Sequence, residues 1–427
     1  MALPAFESLS LGGTLQIPLS LRPAAVEGVE LFEGRPVVSG SALASGALEL
    51  SHLAIAPSSG ECGSCASASL TSGVRVPAIP LRLEHPLSTA MQQVQNPKPA
   101  NELLREFRPE ALAAWIERFR NGGIHAHRSG SPSLLEQLLQ AVKRPIDVVL
   151  CSLLDSDPNA PLQSLLAATY PVEFSLGVAI VARLTGARRS AVAIGSMPGR
   201  WSQLFRERLV ELKINEIALT GDYPLSDPTL LLYATLGRKL RPFRLPTEQG
   251  AIVFDVAAAI AIGRFVLLDE PMTQVPFALH DWRTRRTRYV IAPVGISIGE
   301  LLRHYQTDPG NLTLRGGDSL RDIQLSPRSV IAGSELVVHV SQAESAINPD
   351  PCIRCGWCVE VCPTGVQPAS VLEAAQRHDP DLAERMGAQA CIECGLCSFV
   401  CPSKLPLLHG IRQVKKLGAQ PNPNAEC

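Results

Sequence analysis

The sequence predicts a multidomain α+β chain, and three observations carry that expectation. Residues 8–84 alternate short β-prone runs (LQIPLSL, GVELFEG, PVVSGSAL, LELSHLAIAP, VRVPAIPLRL) with glycine turns, the spacing of a small all-β unit. From about residue 121 to 275 strand-like runs alternate with helical stretches, which predicts a layered sheet flanked by helices. A cysteine-rich segment follows near the C-terminus. At 427 residues the chain is long enough for several cores, because a single core stops growing beyond about 250–300 residues.

Within this frame each element has its own signal. Residues 100–120 (ANELLREFRPEALAAWIERFR) read as helical, with Leu103, Leu104, Phe107, Leu112, Trp115 and Phe119 on one face. The α/β region offers strands at 147–151, 189–194, 216–219 and 251–254, and Cys151 ends one of them as a buried residue. Residues 284–340 return to short strands around one helix (ISIGELLRHYQ), a layout compatible with a β-grasp domain. A further domain begins near Pro349, and LGAQPNPNAEC reads as a disordered tail.

Composition excludes several function classes. Lys+Arg 39 against Asp+Glu 40 gives a net charge of −1, so no basic field for nucleic acid is implied. Aromatics at 5% argue against a stacking platform for single strands. The best membrane candidate, residues 251–268, is interrupted by Asp255 and Arg264, so no transmembrane segment is expected. The start MALPAFESLSLGGTL lacks the basic end and apolar core of an export signal, which argues against an oxidising compartment and a disulfide framework.

The chemistry sits in two copies of one pattern. Cys352-x-x-Cys355-x-x-Cys358-x-x-x-Cys362-Pro363 is repeated as Cys391-x-x-Cys394-x-x-Cys397-x-x-x-Cys401-Pro402. Three cysteines at this spacing wrap one face of a 4Fe-4S cubane, and the fourth, before proline, reaches across to the other cluster in two-cluster ferredoxins. By that rule Cys352, Cys355, Cys358 and Cys401 hold one cluster, and Cys391, Cys394, Cys397 and Cys362 hold the second. Paired zinc sites are the competing reading, but zinc ribbons have no use for the third cysteine or the terminal Cys-Pro. Between the runs, residues 368–386 carry helical periodicity and predict a helix pair broken near Asp379-Pro380. Cys62 and Cys65 form a separate Cys-x-x-Cys in a Gly/Ser-rich turn, read either as a redox dithiol or metal half-site or as two small loop residues.

The order of parts resembles the C subunit of the Rnf ion-translocating electron-transport complex, itself related to the flavin-carrying NADH-oxidising subunits of complex I and its hydrogenase cousins. The resemblance is carried by NPDPCIRCGWCVEVCPTGVQP and CIECGLCSFVCPSKLPLLHGIRQVKK, by YVIAPVGISIGELL followed by Gly316-Gly317, by TEQGAIVFDVAAAIAIGRFVLLDEP and by AIAPSSGE near residues 54–61. It implies a barrel-sandwich-hybrid-like β domain at 1–90 and a flavoprotein-like α/β domain at 100–283. It further implies a β-grasp (SLBB) domain at 284–345, a two-cluster ferredoxin-like domain at 346–417, and a tail at 418–427.

In that family the α/β domain binds FMN and accepts hydride from NADH, and its motifs are eroded here. The glycine-rich phosphate loop corresponds to Asn121-Gly122-Gly123-Ile124-His125-Ala126-His127-Arg128, which keeps two glycines. The family's Glu-x-Glu-Pro corresponds to Asp155-Ser156-Asp157-Pro158, although Asp-x-Asp-Pro after a strand also reads as a plain turn. Tyr-Pro-x-Gly becomes Tyr223-Pro224-Leu225-Ser226 before Asp227, and Asn-Val-x-Thr becomes Asp255-Val256-Ala257-Ala258, placing an acid where an anionic cofactor would lie. Gly122, Gly123, Asp155 and Asp157 are thus the candidate positions of a degenerate FMN/NADH site.

The resemblance implies an electron-transfer subunit with two 4Fe-4S clusters, cytoplasmic and peripheral on the inner membrane, held there by other subunits. It would exchange electrons with NADH- or ferredoxin-linked partners, with no acid, base or nucleophile of its own. Lys404, Arg412, Lys415 and Lys416 either steer an acidic ferredoxin-like partner or form an ordinary solvated helix face. The rival readings are a flavin-containing, NADH-dependent reductase of the cobalamin-reductase kind, and a scaffold whose clusters only hold the fold.

Overall fold

The computed structural model describes residues 4–21, 29–45, 54–94, 99–125, 133–195, 201–220, 223–321, 323–333, 337–343 and 348–418. His127, Arg128 and the tail from 419 lie outside them.

Near the N-terminus β1 (Thr14–Pro18), β2 (Pro36–Val37), β3 (Gly60–Cys62), β4 (Ala66–Ser69) and β5 (Arg75–Leu83) form an antiparallel sheet. Its order is β1-β5-β3-β2, with β4 also paired to β5. Most of these strands are too short to build a core of their own. Their apolar face (Leu15, Ile17, Ile79, Leu81) shares one core with Val275, Phe277, Val290 and Leu301 from much later in the chain. The expected separate domains 1–90 and 284–345 are therefore one packed body.

Residues 100–120 do not form the single helix expected. Ala100–Leu103 is followed by two short 3-10 turns before α1 (Leu112–Asn121). Pro109 is the reason: the residue before a proline is driven out of the helical region, and Arg108 is extended at φ −129, ψ 157. The apolar face survives the break, with Phe107, Trp115 and Phe119 in successive tilted ring contacts and buried.

The α/β layer is built on β6 (Val148–Ser152), β7 (Arg189–Gly195), β8 (Ile214–Leu219) and β9 (Ala251–Asp255), all parallel in the order β8-β7-β6-β9. Strands β6 and β9 are buried along their whole length, as parallel strands covered by helices are. Helices α2 (Leu162–Thr169), α3 (Pro171–Thr185), α4 (Pro228–Leu236) and α5 (Val256–Leu268) connect or cover them. The apolar run 251–268 thus resolves into a strand and a helix, with Asp255 capping α5 through Ala258 N at 2.8 Å. Among the described residues no single helix is long and apolar enough to cross a membrane.

Helices α3 and α5 cross in close contact because glycines face the partner backbone. A Cβ on Gly177 would stand 1.9 Å from Ala259 O, and one on Gly263 2.1 Å from Glu173 O. Neither obstacle is a flexible side-chain end, so the helices themselves must part. Gly263→Ala is expected to cost about 1–3 kcal/mol or more, the range for overpacking a tight core, read as a lower midpoint in urea denaturation.

After α5, β10 (Gln274–Asp281) and β11 (Arg286–Pro293) form a hairpin, then come α6 (Ile298–His304), β12 (Leu312–Gly316), β13 (Ile323–Leu325) and β14 (Val337–Gln342). The mixed sheet runs β11-β10-β14-β12-β13. A boundary at 283/284 falls in the turn of this hairpin. The sheet begins instead at Gln274, where QVPFALHD supplies a strand that pairs residue for residue with RTRYVIAP.

The last segment contains α7 (Trp357–Glu360), α8 (Pro368–Arg377), α9 (Pro380–Arg385), α10 (Leu396–Val400) and α11 (Leu407–Gly418). The break at Asp379-Pro380 lies between α8 and α9. Helices α8 and α11 pack closely at Gly410, where a Cβ would meet Leu372 Cδ1 at 2.5 Å, over a core of Val366, Val371, Ala374, Leu407 and Ile411.

Candidate metal centre

The two cysteine runs fold alike, turn for turn. Arg354 (φ +57) and Glu393 (φ +58) occupy equivalent places, as do Gly356 (φ +84) and Gly395 (φ +82), and Gly365 (φ +71) and Lys404 (φ +54). Left-handed residues let the chain wrap tightly, free of penalty for glycine and at about 1–3 kcal/mol for other residues. In each run the glycine opens a short helix (α7 or α10), and the terminal Cys-Pro leads into a longer one (α8 or α11). The segment is a pseudo-repeat built around its thiols.

Four of those cysteines line one cavity. A small cavity is lined by Cys391, Cys394 and Cys397 of the second run and by Cys362 of the first, under Ile392, Leu396, Leu408 and Ile411. In the other half, Cys358 lies within electrostatic reach of Cys355 and of Cys401 from the second run. Backbone N–H groups already point at the sulfurs: Val366 N donates to Cys362 Sγ at 3.3 Å and Glu393 N to Cys391 Sγ at 3.3 Å. Burial pushes the Cys394 thiol up to about 11 and that of Cys397 up to about 12. A metal that takes them as thiolates must therefore displace protons. Four soft sulfur donors, N–H groups aimed at them and an apolar shell fit an iron–sulfur cluster.

The halves differ in exposure. Cys391, Cys394, Cys397 and Cys401 are buried, whereas Cys352 and Cys355 are exposed. The second run is covered by other parts of the chain. A Cβ on Gly395 would be 1.9 Å from Leu320 O in the loop after β12, so only glycine permits that approach. The Tyr223 hydroxyl, ahead of α4, donates to Cys394 O and contacts Asp318 Oδ1 at 3.0 Å, and Arg321 Nη2 donates to Ile392 O at 3.3 Å. Burial and the adjacent Asp318 carboxylate raise the Tyr223 pKa, keeping it a neutral donor.

Glu393 sits between Arg412 (3.0 Å) and Lys415 (3.1 Å), and Lys415 Nζ also donates to Cys391 O at 2.6 Å. Burial works against the Glu393 charge, but Lys415 and Arg412 hold its carboxyl below the usual range. Arg412 and Lys415 are thus engaged beside the second run and are not a solvated face. Tyr223 and Arg321 carried no metal signal in the sequence.

The candidate flavin positions are each engaged in structure. Sheet order reverses between β6 and β9, and ligands of such sheets bind outside the carboxyl ends of the strands at this switch point. There Asp155 accepts Gln163 N at 2.6 Å and the Ser164 hydroxyl at 2.5 Å, at the start of α2. Gln163 Oε1 in turn accepts Val256 N at 3.0 Å, so the first donors of α5 are satisfied by Gln163 and Asp255. A flavin phosphate would find those N–H groups taken and a carboxylate beside it.

Asp157 is fully buried, accepts Asn159 N and Ser319 N at 2.8 Å each, and lies 3.0 Å from His339 Nε2 on β14. It joins the α/β layer to the mixed sheet. Gly122 faces the Phe265 ring, its added Cβ at 2.7 Å, and Gly123 has φ +66. His125 is buried between Gly123 O (3.0 Å) and Ala332 O (2.9 Å). Gly122 lines a cleft of about 800 Å³ with Arg118, Asn121, Arg264 and Glu270, and neither acid of the Asp-x-Asp pair lines it. Cys62 is a buried free thiol on β3.

Comparison with known proteins places these observations. A 4Fe-4S dicluster domain model matches residues 351–406. The chain is 27% identical over 313 residues to the C subunit of the ion-translocating oxidoreductase complex of Rhodobacter capsulatus, covering 72% of this chain and 60% of that protein. It is 28% identical over 209 residues to the C subunit of the Na(+)-translocating ferredoxin:NAD(+) oxidoreductase complex of Acetobacterium woodii, covering 48% and 47%. A cobalamin reductase of Citrobacter freundii is 25% identical over 266 residues, covering 58% and 57%. Similarity to the C subunit of such complexes thus extends over most of this chain, which spans about 60% of the length of the first of these relatives.

Proposed function

We propose that this chain is the iron–sulfur electron-transfer subunit of an Rnf-type complex, holding two 4Fe-4S clusters and binding no flavin. The observation that carries the reading is the cavity where Cys362 of one run joins Cys391, Cys394 and Cys397 of the other, inside a segment that matches a dicluster domain. Cys352, Cys355, Cys358 and Cys401 form the second ligand set. Each cluster, when bound, supplies reversible one-electron chemistry. The chain's own residues hold the thiolates, aim N–H groups at sulfur and keep water out. Tyr223, Arg321 and Lys415 hold the carbonyl oxygens of the second run in place.

On this reading the β-rich body pairs a barrel-sandwich-like unit with an SLBB-like β-grasp sheet, and the α/β layer keeps a flavoprotein-like fold without its cofactor. Electrons pass between NADH- or ferredoxin-linked partners and other subunits, at the cytoplasmic face of a membrane to which those subunits anchor the chain. The full chain, assembled with iron and sulfide under anaerobic conditions, is expected to show broad visible absorption that dithionite bleaches, and to retain no FMN after desalting. Stoichiometric FMN with NADH oxidation would instead favour the second reading, a self-sufficient reductase, which the likeness to a cobalamin reductase supports.

A further inference from the structure

We infer that the bare face of the first cysteine run is the docking site of an electron-transfer protein that covers it as the chain itself covers the second run, and that presents carboxylates to Arg354 and Lys404. The inference rests on the proposed clusters and adds where, and with what chemistry, electrons cross the surface.

The pseudo-repeat supplies the comparison. Ile392 is buried at 2% exposure, and Gly395 is closed by Leu320 O. The equivalent Ile353 is 67% exposed, and a Cβ on Gly356 would meet nothing within 4 Å. Trp357, equivalent to Leu396, is 53% exposed, and Phe399, on the helix α10 that packs against α7, is 67% exposed. Large apolar side chains left exposed within and beside the run that carries the exposed Cys352 and Cys355 are what an interface core uses, and monomers rarely leave such groups bare together. In the second run a hydroxyl and a guanidinium bind the carbonyls of Cys394 and Ile392. Among the described residues no side-chain donor is seen on the corresponding carbonyls of Cys355 and Ile353.

Charge decides the partner's sign. Glu393 is held by Arg412 and Lys415, whereas Arg354 stands at its place in the first run. The α8 position equivalent to Arg412 is Glu373, and it pairs with Arg377 at 2.5 Å, leaving Arg354 with no ion pair among the described residues. Lys404 is exposed, and its neighbour Ser403 bonds to Pro351 O, which brings it to the same edge. Asp350 and Glu360 are also exposed on this segment, so the carboxylate preference is local to Arg354 and Lys404. On docking, one electron leaves the partner's reduced centre and reduces the exposed cluster, or returns the other way. No bond forms or breaks.

The test immobilises the full, cluster-loaded chain and uses a small acidic two-cluster 4Fe-4S ferredoxin as probe, reading the Kd at low ionic strength. The Ile353→Ala/Trp357→Ala variant and Arg354→Glu are each expected to weaken binding about tenfold or more. Val210→Asp, at a residue 79% exposed on another helix, is expected to leave it unchanged. Iron and sulfide are measured first on every protein. An unsubstituted chain that assembles no cluster counts against the electron-transfer reading. Full iron with an unchanged Kd in the variants, or no binding by the parent chain, overturns the docking site. So does self-association that Trp357→Ala abolishes, because the occupant is then a second copy.

Discussion

Serine in place of Cys362 is expected to empty the site of the second run, and serine in place of Cys401 that of the first, each lowering bound iron to about half. The two variants are then distinguishable by what remains. Cys362→Ser keeps the cluster of Cys352, Cys355, Cys358 and Cys401, whose first two ligands are exposed. Ferricyanide with EDTA should strip it quickly. Cys401→Ser keeps the cluster of Cys391, Cys394, Cys397 and Cys362, enclosed beneath Ile392, Leu396 and Ile411 and beside Leu320. That remaining cluster should be lost more slowly. If each run instead ligated a cluster with its own four cysteines, the rates would be exchanged. The measurement is therefore one of crossing, and it reads out without any partner protein.

The proposed ligand set was legible because cluster binding follows a local rule: three cysteines at this spacing are expected at one centre, and Cys-Pro marks the fourth. The difference between the two runs was not legible. It arises from Leu320, Tyr223 and Arg321, which lie far from the cysteines in sequence and reach them only through the packing of three bodies. The same limit explains the helix at 100–120, where periodicity was right about the buried face and blind to the backbone cost at Arg108-Pro109. It also explains the division of the β-rich parts. Alternation in the N-terminal strands and in QVPFALHD shows that each has an apolar face, but not that the two faces meet in one core.

Asp155 and Asp157, read from the sequence as candidate cofactor positions, each have a structural task in the fold. Asp155 serves α2, and Asp157 is the joint between layers. Burial works against the Asp157 charge, but His339 and the N–H groups of Asn159 and Ser319 hold its carboxyl far below the usual carboxylate range. Replacing it with alanine leaves the Ser319 and Asn159 donors and His339 Nε2 facing an apolar hole. At about 1–3 kcal/mol for a buried unsatisfied group such as His339 Nε2, and less for the two half-buried amides, a total loss of about 2–5 kcal/mol is expected. Asparagine, which restores one acceptor, should recover part of it.

The pH dependence fixes the assignment. A carboxyl with a depressed folded pKa stabilises fully above its unfolded pKa of about 3.9, and this contribution fades as pH falls through the folded value. Between pH 5 and 8 the gap between parent and Asp157→Ala should stay constant as far as this group is concerned. Below about pH 4 it should narrow as the parent loses what the variant never had. Hydrogen exchange at residues 337–342 and 318–321 is the local readout, because unfolding of a chain with several bodies need not be two-state. Faster exchange there in Asp157→Ala, with the cysteine runs still loaded with iron, would place the effect at the joint. Protection unchanged at pH 7 would mean that the acid holds nothing together.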